Sequence, residues 1–281
     1  MDISQHLLLT SSLGLAGVSL FMFGAWILSL RLKDASIVDR LWGLNFILLA
    51  SIYFSQSQNI HWRHWMVLFL LCVWGGRLSL HIHLRNRHHG EDHRYQAMRK
   101  NHGTSFSWYS LFSVFLLQGF LAFLISTPIL WIFSGSVTTF TVFDPIAICL
   151  WGVGFYFEAV GDMQLKAFKA DPKNIGKILD RGLWALTRHP NYFGDALIWW
   201  SFFLLALSLP NGWMTFFGPL IMTIFLRSIS GVTLLEKSLI KTKPGYMEYV
   251  SKTPAFIPNF RELYRIICVA LGKKNQEKKG P

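Results

Sequence analysis

Apolar runs close to twenty residues long recur along this chain, and they decide what it can fold into. The first, Leu7 to Leu30, is nearly charge-free. A helix needs roughly 20 such residues to cross the hydrocarbon core of a bilayer. Further runs extend from Ile37 to about Phe54, Trp62 to Leu84, Trp108 to Phe133, Pro145 to Leu165, Tyr192 to Leu209 and Trp213 to about Leu226. In lipid, each segment must satisfy its own backbone polar groups, so runs of this kind fold as helices. The expectation is an all-α polytopic integral membrane bundle of about seven transmembrane helices. It forms one domain over residues 1–272, followed by a polar disordered tail at 273–281. Pro128 is expected to kink the fourth span, and the seventh is expected to continue as a helix past Glu236. The residues before Leu7 lack the basic region of a signal peptide, so no cleaved leader is expected.

The formal net charge is +12, which by itself would suit nucleic acid. The distribution argues otherwise, because Lys and Arg collect in alternate loops. Five lie in the 85–105 loop, six in the 166–190 loop, eleven from Arg227 onward and three in the 31–40 loop, against Arg63 alone in the opposite loops. Cytoplasmic loops of membrane proteins carry this excess, so the N-terminus is placed outside and the C-terminus in the cytoplasm. The twelve Trp, many near segment ends, suit interfacial anchoring. Cys72, Cys149 and Cys268 lie in apolar segments without a C-x-x-C, so they read as buried apolar thiols with neither a disulfide framework nor a metal site.

Polar side chains inside spans are costly and mark function, and they occur here with helical spacing. The third span ends with Arg77, His81 and Arg85 on one face. Two cations and an imidazole there would suit a pyrophosphate or a 2′-phosphate, or would polarise a carbonyl. The fifth span ends with Glu158, Asp162, Lys166 and Lys169, also on one face, with Asp162 before Lys166 in the favourable order. Near the start of the second span, Asp39 should be desolvated unless Arg40 or Arg77 pairs with it. Protonated, it could donate a hydrogen bond to a substrate carbonyl. The sharpest stretch is Gly182 to Trp200, G-L-W-A-L-T-R-H-P-N-Y-F-G-D-A-L-I-W-W. Pro190 suits the first turn of a helix, with Asn191 and Asp195 on one face and Arg188 one turn earlier.

The octapeptide R-H-P-N-Y-F-G-D resembles the signature of the membrane sterol reductases and of the steroid 5-alpha-reductase C-terminal domain. The block from W-G-G-R-L to G-E-D-H-R-Y resembles bacterial relatives of the steroid 5-alpha-reductases. Glu236, followed by K-P-G-Y-M-E-Y and A-F-I-P, resembles the superfamily's C-terminal block. The likeness is dense over 145–260 and looser over 36–100. It implies that NADPH is held by Asp162, Lys166, Lys169, Trp184, Arg188, His189, Asn191, Tyr192, Asp195, Glu236, Tyr246 and Tyr249, with Arg77 and Arg85 contributing. The two tyrosines would pack on an adenine or nicotinamide ring. It also implies a lipophilic substrate, steroid- or isoprenoid-like, entering from the bilayer. The chain lacks the Gln-Glu pair that holds the 3-keto group in steroid 5-alpha-reductases. Asp39 stands as the acid in its place, and His81 or Tyr95 as the phenol.

The expected activity is therefore hydride transfer from NADPH to a polarised C=C, in a bacterial inner membrane with the cofactor site facing the cytoplasm. Three rivals are weighed against it. A shorter R-H-P-x-Y is shared with isoprenylcysteine and phospholipid methyltransferases, which hold S-adenosylmethionine. Against these stand Asp195 and the number of cations, since Arg and Lys suit phosphates. The histidines at 81, 83, 88, 89, 93 and 102 resemble the boxes of di-iron oxidases, but only His189 follows them, so no metal is expected. A transport protein or scaffold would have to explain the same polar constellation. No nucleic acid and no obligate protein partner are expected.

Overall fold

The computed structural model describes residues 3–262 apart from 88–89, 137, 230 and 260. The tail at 273–281, Cys268 and the pair His88 and His89 lie outside the described residues. The described residues are helical and contain no strand. The helices are α1 (Ile3–Leu32), α2 (Ile37–Arg40), α3 (Trp42–Gln56), α4 (Trp62–Asn86), α5 (His93–His102), α6 (Phe106–Ser110) and α7 (Leu117–Ile125). They continue with α8 (Thr127–Ser134), α9 (Phe143–Ala170), α10 (Leu183–Leu186), α11 (Pro190–Ala206), α12 (Phe217–Ile224), α13 (Val232–Thr242) and α14 (Tyr246–Lys252).

Five stretches are long and apolar enough to cross a membrane: Ser4–Leu32, Trp62–Asn86, His93–Ile125, Phe143–Ala170 and Gly212–Ile229. The other two expected spans do form helices, but short ones. The stretch from Ile37 breaks at Leu41 into the single turn α2 and the 15-residue α3, and α11 has 17 residues. At 1.5 Å per residue these reach roughly 22 and 26 Å. Pro128 does not kink a continuous helix. It opens α8 after a break at Ser126, where its missing N–H is harmless. The helix preceding it carries a π-helical turn at Leu111–Leu116. The seventh span does not run on past Glu236 as one helix either. Gly231 stands before α13, where a Cβ would collide with the Leu226 carbonyl.

Backbone contacts group the described residues into two compact units, one from Met1–Asp144 with Phe202–Gly218, the other from Pro145–Ser201 with Pro219–Pro281. In the first, α3 packs against α1, α4, α7 and α8. Gly43 and Gly75 let α3 and α4 touch backbone to backbone; a Cβ on Gly75 would stand 2.7 Å from the Gly43 carbonyl oxygen. Small residues at such crossings are how helices associate in lipid. Phe46 lies against Trp74 with ring centroids 5.5 Å apart, and the Tyr53 hydroxyl meets the Ser126 hydroxyl at 3.1 Å. The single cation of the opposite loops, Arg63, is fully buried. Its Nε and Nη2 donate to Asp144 at 2.7 and 2.8 Å, and Asp144 also accepts from the Thr141 N–H. Cys72 and Cys149 are exposed on apolar helices and are not the buried thiols expected. Leu8, Leu20, Phe69, Phe112, Val153 and many other large apolar side chains are likewise exposed, as suits helices whose solvent is lipid.

In the second unit, α9 and α11 cross at Gly154 and Gly194. A Cβ on Gly154 would stand 2.7 Å from the Gly194 carbonyl oxygen, and Gly161 lies against Pro190. Phe157, Leu183 and Leu186 form an apolar cluster beside the crossing, with Val160 and Phe193 packed on it.

Candidate functional site

Each unit contains one polar cluster that its local fold explains. In the second unit, the glycine crossing brings the polar face of α9 against the first turns of α11. Asn191 Nδ2 donates to Asp162 Oδ1 at 3.0 Å. Glu158, Asp162 and Asp195 are all buried. Four polar groups from two helices thus share one interior. Lys166 and Lys169, one and two turns further along α9, are exposed, so the expected four-residue stripe divides into a buried acidic half and an exposed basic half.

Arg188 is not on the α11 face with Asn191. Thr187 is extended (φ −152°, ψ 147°), which turns Arg188 away from the helix that follows. Its Nε and Nη2 donate to the two Glu236 carboxylate oxygens at 2.7 and 3.0 Å, and its Nη1 donates to the Val250 and Thr253 carbonyls. Four of its five N–H donors are spent within the protein. Arg188, expected to help hold NADPH, is thus committed instead to a clasp within the protein. The neighbouring backbone completes the clasp. Arg188 N–H donates to Pro254 O at 2.9 Å, and Asn259 N–H to Leu186 O at 2.8 Å. Thr187 Oγ1 donates to the Ala255 and Phe256 carbonyls, and the Tyr249 hydroxyl to Trp184 O. Trp184 in turn donates from Nε1 to Gly161 O at 3.1 Å, tying the clasp to α9. Tyr246 and Tyr249 are buried against each other with centroids 5.8 Å apart. The ring-stacking role expected of them gives way to packing inside this fastening.

The electrostatics follow from the clasp. Burial works against the charge of Glu236, but the Arg188 guanidinium and the His189 ring outweigh it and hold the carboxyl below its usual range. Burial lowers His189 from its usual 6.5, more than Glu236 raises it. His189 Nε2 lies 3.1 Å from Glu236 Oε1, and a carboxylate only accepts. A neutral His189 therefore carries its proton on Nε2. Its ring stacks on Tyr192, with centroids 5.5 Å apart and planes within 4°. Burial also raises the Tyr246 hydroxyl to about 12.

Both shifts have the same consequence for stability. Glu236, lowered in the folded state, contributes stability above its unfolded value near 4.5 and loses it as the pH falls through the folded value. His189, also lowered, is neutral when folded but takes up a proton near 6.5 when unfolded, which favours unfolding as the pH drops below 6.5. The melting temperature is expected to be flat just above pH 6.5, to fall below it, and to fall more steeply below 4.5. In His189→Phe the first decline should become shallower and the second remain, as thermal unfolding across pH will show.

In the first unit, the break at Leu41 turns the single helical turn of α2 toward α5. Asp39 Oδ1 accepts from the Tyr95 hydroxyl at 2.7 Å, and Asp39 Oδ2 accepts from Arg94 Nη2 at 2.6 Å. Neither cation expected as a partner is the one found here. Arg40 pairs with Asp34 at 3.1 Å, while Arg77 is half-buried on α4. Arg94 is the residue that sequence reasoning missed as a partner. The signal was its place beside Tyr95 and two residues after Asp92, whose carboxylate also receives the Arg94 Nε at 2.9 Å. Tyr95 is buried, and Gln118 Nε2 from α7 lies 3.5 Å from its oxygen. Of the two residues expected to stand as the phenol, Tyr95 reaches Asp39; His81 is half-buried on α4.

A dinucleotide can be tested against these donors. Buried carboxyls such as Glu158, Asp162 and Asp195 accept from ribose hydroxyls and carboxamide N–H groups, and the Asn191 amide adds both functions. Phosphates would fall to the exposed Lys166 and Lys169, since Arg188 is committed. The residues fit the group on those terms.

Comparison with known proteins gives the chain its place. It is 28% identical to an uncharacterized protein of Schizosaccharomyces pombe, over 83% of this chain and 75% of that one. It is 32% identical to the probable O-methyltransferase ustE of Ustilaginoidea virens, over 39% of this chain and 33% of that one. No solved structure matches it significantly. The model of the family described as protein of unknown function (DUF1295) matches residues 25–253, which include both polar clusters and most of the clasp, and the chain belongs to that family.

Proposed function

We propose that this protein is an integral-membrane, NADPH-dependent reductase of the steroid 5-alpha-reductase type. It would transfer a hydride to a polarised C=C, an enone, in a steroid- or isoprenoid-like substrate drawn from the bilayer. The observation that carries the reading is the Tyr95–Asp39 pair. Reduction of a C=C consumes a proton as well as a hydride. The buried Tyr95 phenol now donates its O–H to Asp39, which Arg94 also holds; turned to a substrate oxygen, that O–H would stabilise the developing enolate and deliver the proton. Asp162, Asn191, Asp195 and Glu158 would hold the ribose and carboxamide parts of NADPH, and Lys166 and Lys169 its phosphates; NADPH supplies the hydride when bound. The excess of Lys and Arg in alternate loops supports a cofactor side facing the cytoplasm with the N-terminus outside, and the resemblance to bacterial reductases favours an inner membrane.

Methyl transfer from S-adenosylmethionine is the second reading. Two observations favour it: the relative named as a probable O-methyltransferase, and the buried carboxyls, which would suit a sulfonium cation now that Arg188 is committed elsewhere. Thermal stabilisation of the detergent-purified chain by NADPH, NADH and S-adenosylmethionine separates the two, because a bound ligand raises the melting temperature by mass action. NADPH is expected to stabilise the wild type, and Asp162→Leu is expected to abolish the effect. Stabilisation by S-adenosylmethionine alone would replace the reductase with the methyltransferase. With an enone substrate, Tyr95→Phe should slow turnover by about a hundredfold while NADPH still stabilises the variant.

A further inference from the structure

Between the end of α4 and the start of α5 lies a cavity of about 390 Å³, lined by Ser36, Arg85, Asn86, Glu91, Asp92 and Gln96, among others. Its charges are unequally satisfied. Glu91 accepts from Arg99 at 2.8 and 3.0 Å and from the Ala35 N–H at 2.8 Å. Asp92 is taken by Arg94 Nε and by the Arg94 N–H, each at 2.9 Å. These contacts outweigh burial and hold both carboxyls below their usual range. Glu91 is thus held by Arg99, while Asp92 shares Arg94 with Asp39. Arg85 donates from Nε to Asn86 Oδ1 at 3.0 Å, and the ion pairs among the described residues leave it without a carboxylate. The charge in the lining that no carboxylate holds is therefore that of Arg85. It is presented by the two terminal nitrogens of a guanidinium, the geometry that grips a phosphate bidentately. The Asn86 amide, whose oxygen accepts from Arg85, adds its two N–H donors.

The position of the cavity narrows the source of such an anion. A stretch long and apolar enough to cross a membrane ends at Asn86, and the polar helix α5 starts at His93, so the cavity opens at the depth where lipid headgroups lie. Basic residues on cytoplasmic loops meet anionic lipid there. We propose that the Arg85–Asn86 cavity is a binding site for the phosphate of a phospholipid headgroup. The reading is independent of what chemistry the protein performs. It stands or falls without NADPH, a substrate or turnover.

The test is native mass spectrometry of the full chain from mixed micelles holding either dioleoylphosphatidylglycerol or dioleoylglycerol, which has the same tails and no phosphate. The wild type is expected to retain the phospholipid and not the diacylglycerol. Arg85→Gln should weaken retention by about tenfold, the loss of one charged hydrogen-bonding partner. Arg85→Lys should fall between the two, and Arg87→Gln, exposed on the same loop but outside the cavity, should match the wild type. Arg85 is itself exposed, so its variants should melt with the wild type; should Arg85→Gln not, Asn86→Leu carries the same comparison. Equal retention of the two lipids, or equal loss in Arg85→Gln and Arg87→Gln, would overturn the proposal. So would displacement of the phospholipid by millimolar inorganic phosphate or NADPH, which would make this a site for a soluble phosphate.

Discussion

Replacing Arg188 with Leu is expected to cost about 3 kcal/mol of stability and to release residues 246–259 from the body of their unit. The estimate is the lower end of what breaking a buried ion pair costs. The lower end applies because Glu236 keeps 16% of its side-chain surface exposed, whereas Arg188 keeps 8%. The loss is large because the substitution strands several partners at once. Glu236 is left half-buried with only His189 beside it, and the Val250 and Thr253 carbonyls lose their donor. Thermal unfolding gives the magnitude. Limited proteolysis gives the location, with new cleavage expected between 246 and 259 before any elsewhere in the second unit. Glu236→Gln should be milder, since an amide still accepts from the guanidinium. The double variant Arg188→Met/Glu236→Leu should recover much of the loss, because removing both charges leaves none buried alone. A single variant that melts with the wild type would show that the clasp contributes nothing to stability.

The second large effect belongs to a residue with no side chain. A Cβ on Gly194 would stand 2.5 Å from the Glu158 backbone nitrogen, and closer still to the Gly154 carbonyl. Neither neighbour is a flexible side chain that can step aside, so α9 and α11 must separate. Gly194→Ala is expected to destabilise by about 3 kcal/mol, the upper range of overpacking. It should also open the Asn191–Asp162 hydrogen bond. The stabilisation by NADPH proposed above should then be lost even at temperatures where the variant stays folded. Gly152, on the facing helix α9, has nothing within 4 Å of its would-be Cβ, so Gly152→Ala is the control and should be silent. Equal melting temperatures for the two variants would remove the crossing from the account of how the acidic face is built.

These two positions show where sequence reading succeeds and where it stops. The apolar runs announced helices, and the helical spacing of Glu158 and Asp162 placed both on the face that the structure buries. Asn191 and Asp195 were read correctly as belonging to one helix opened by Pro190. Arg188 was read as their neighbour because spacing counts residues and cannot see Thr187 leave the helical conformation. Its partners are 48 to 65 residues away, beyond any periodic pattern. Asp39 shows the same limit in the first unit. Its isolation in an apolar run marked it as needing a partner, but Arg94 lies 55 residues on and entered the reading only as the residue before Tyr95. The breaks at Leu41 and Ser126 were missed for a related reason. Hydropathy averages over a window and continues through a one-residue turn, so runs that read as single spans fold as two helices each.

The clasp also fixes an order of events during biosynthesis. The T-R-H-P stretch leaves the ribosome some fifty to seventy residues before Glu236 and Phe256, the partners of Arg188 and Thr187. Until that later segment is made, Arg188 and the Leu186 carbonyl have no permanent partners, and α9 waits beside them with its buried acids. The second unit can therefore close only once residues 236 to 259 have been made. A nascent chain stalled before residue 236 should carry an open, protease-sensitive second unit, whatever state the first has reached.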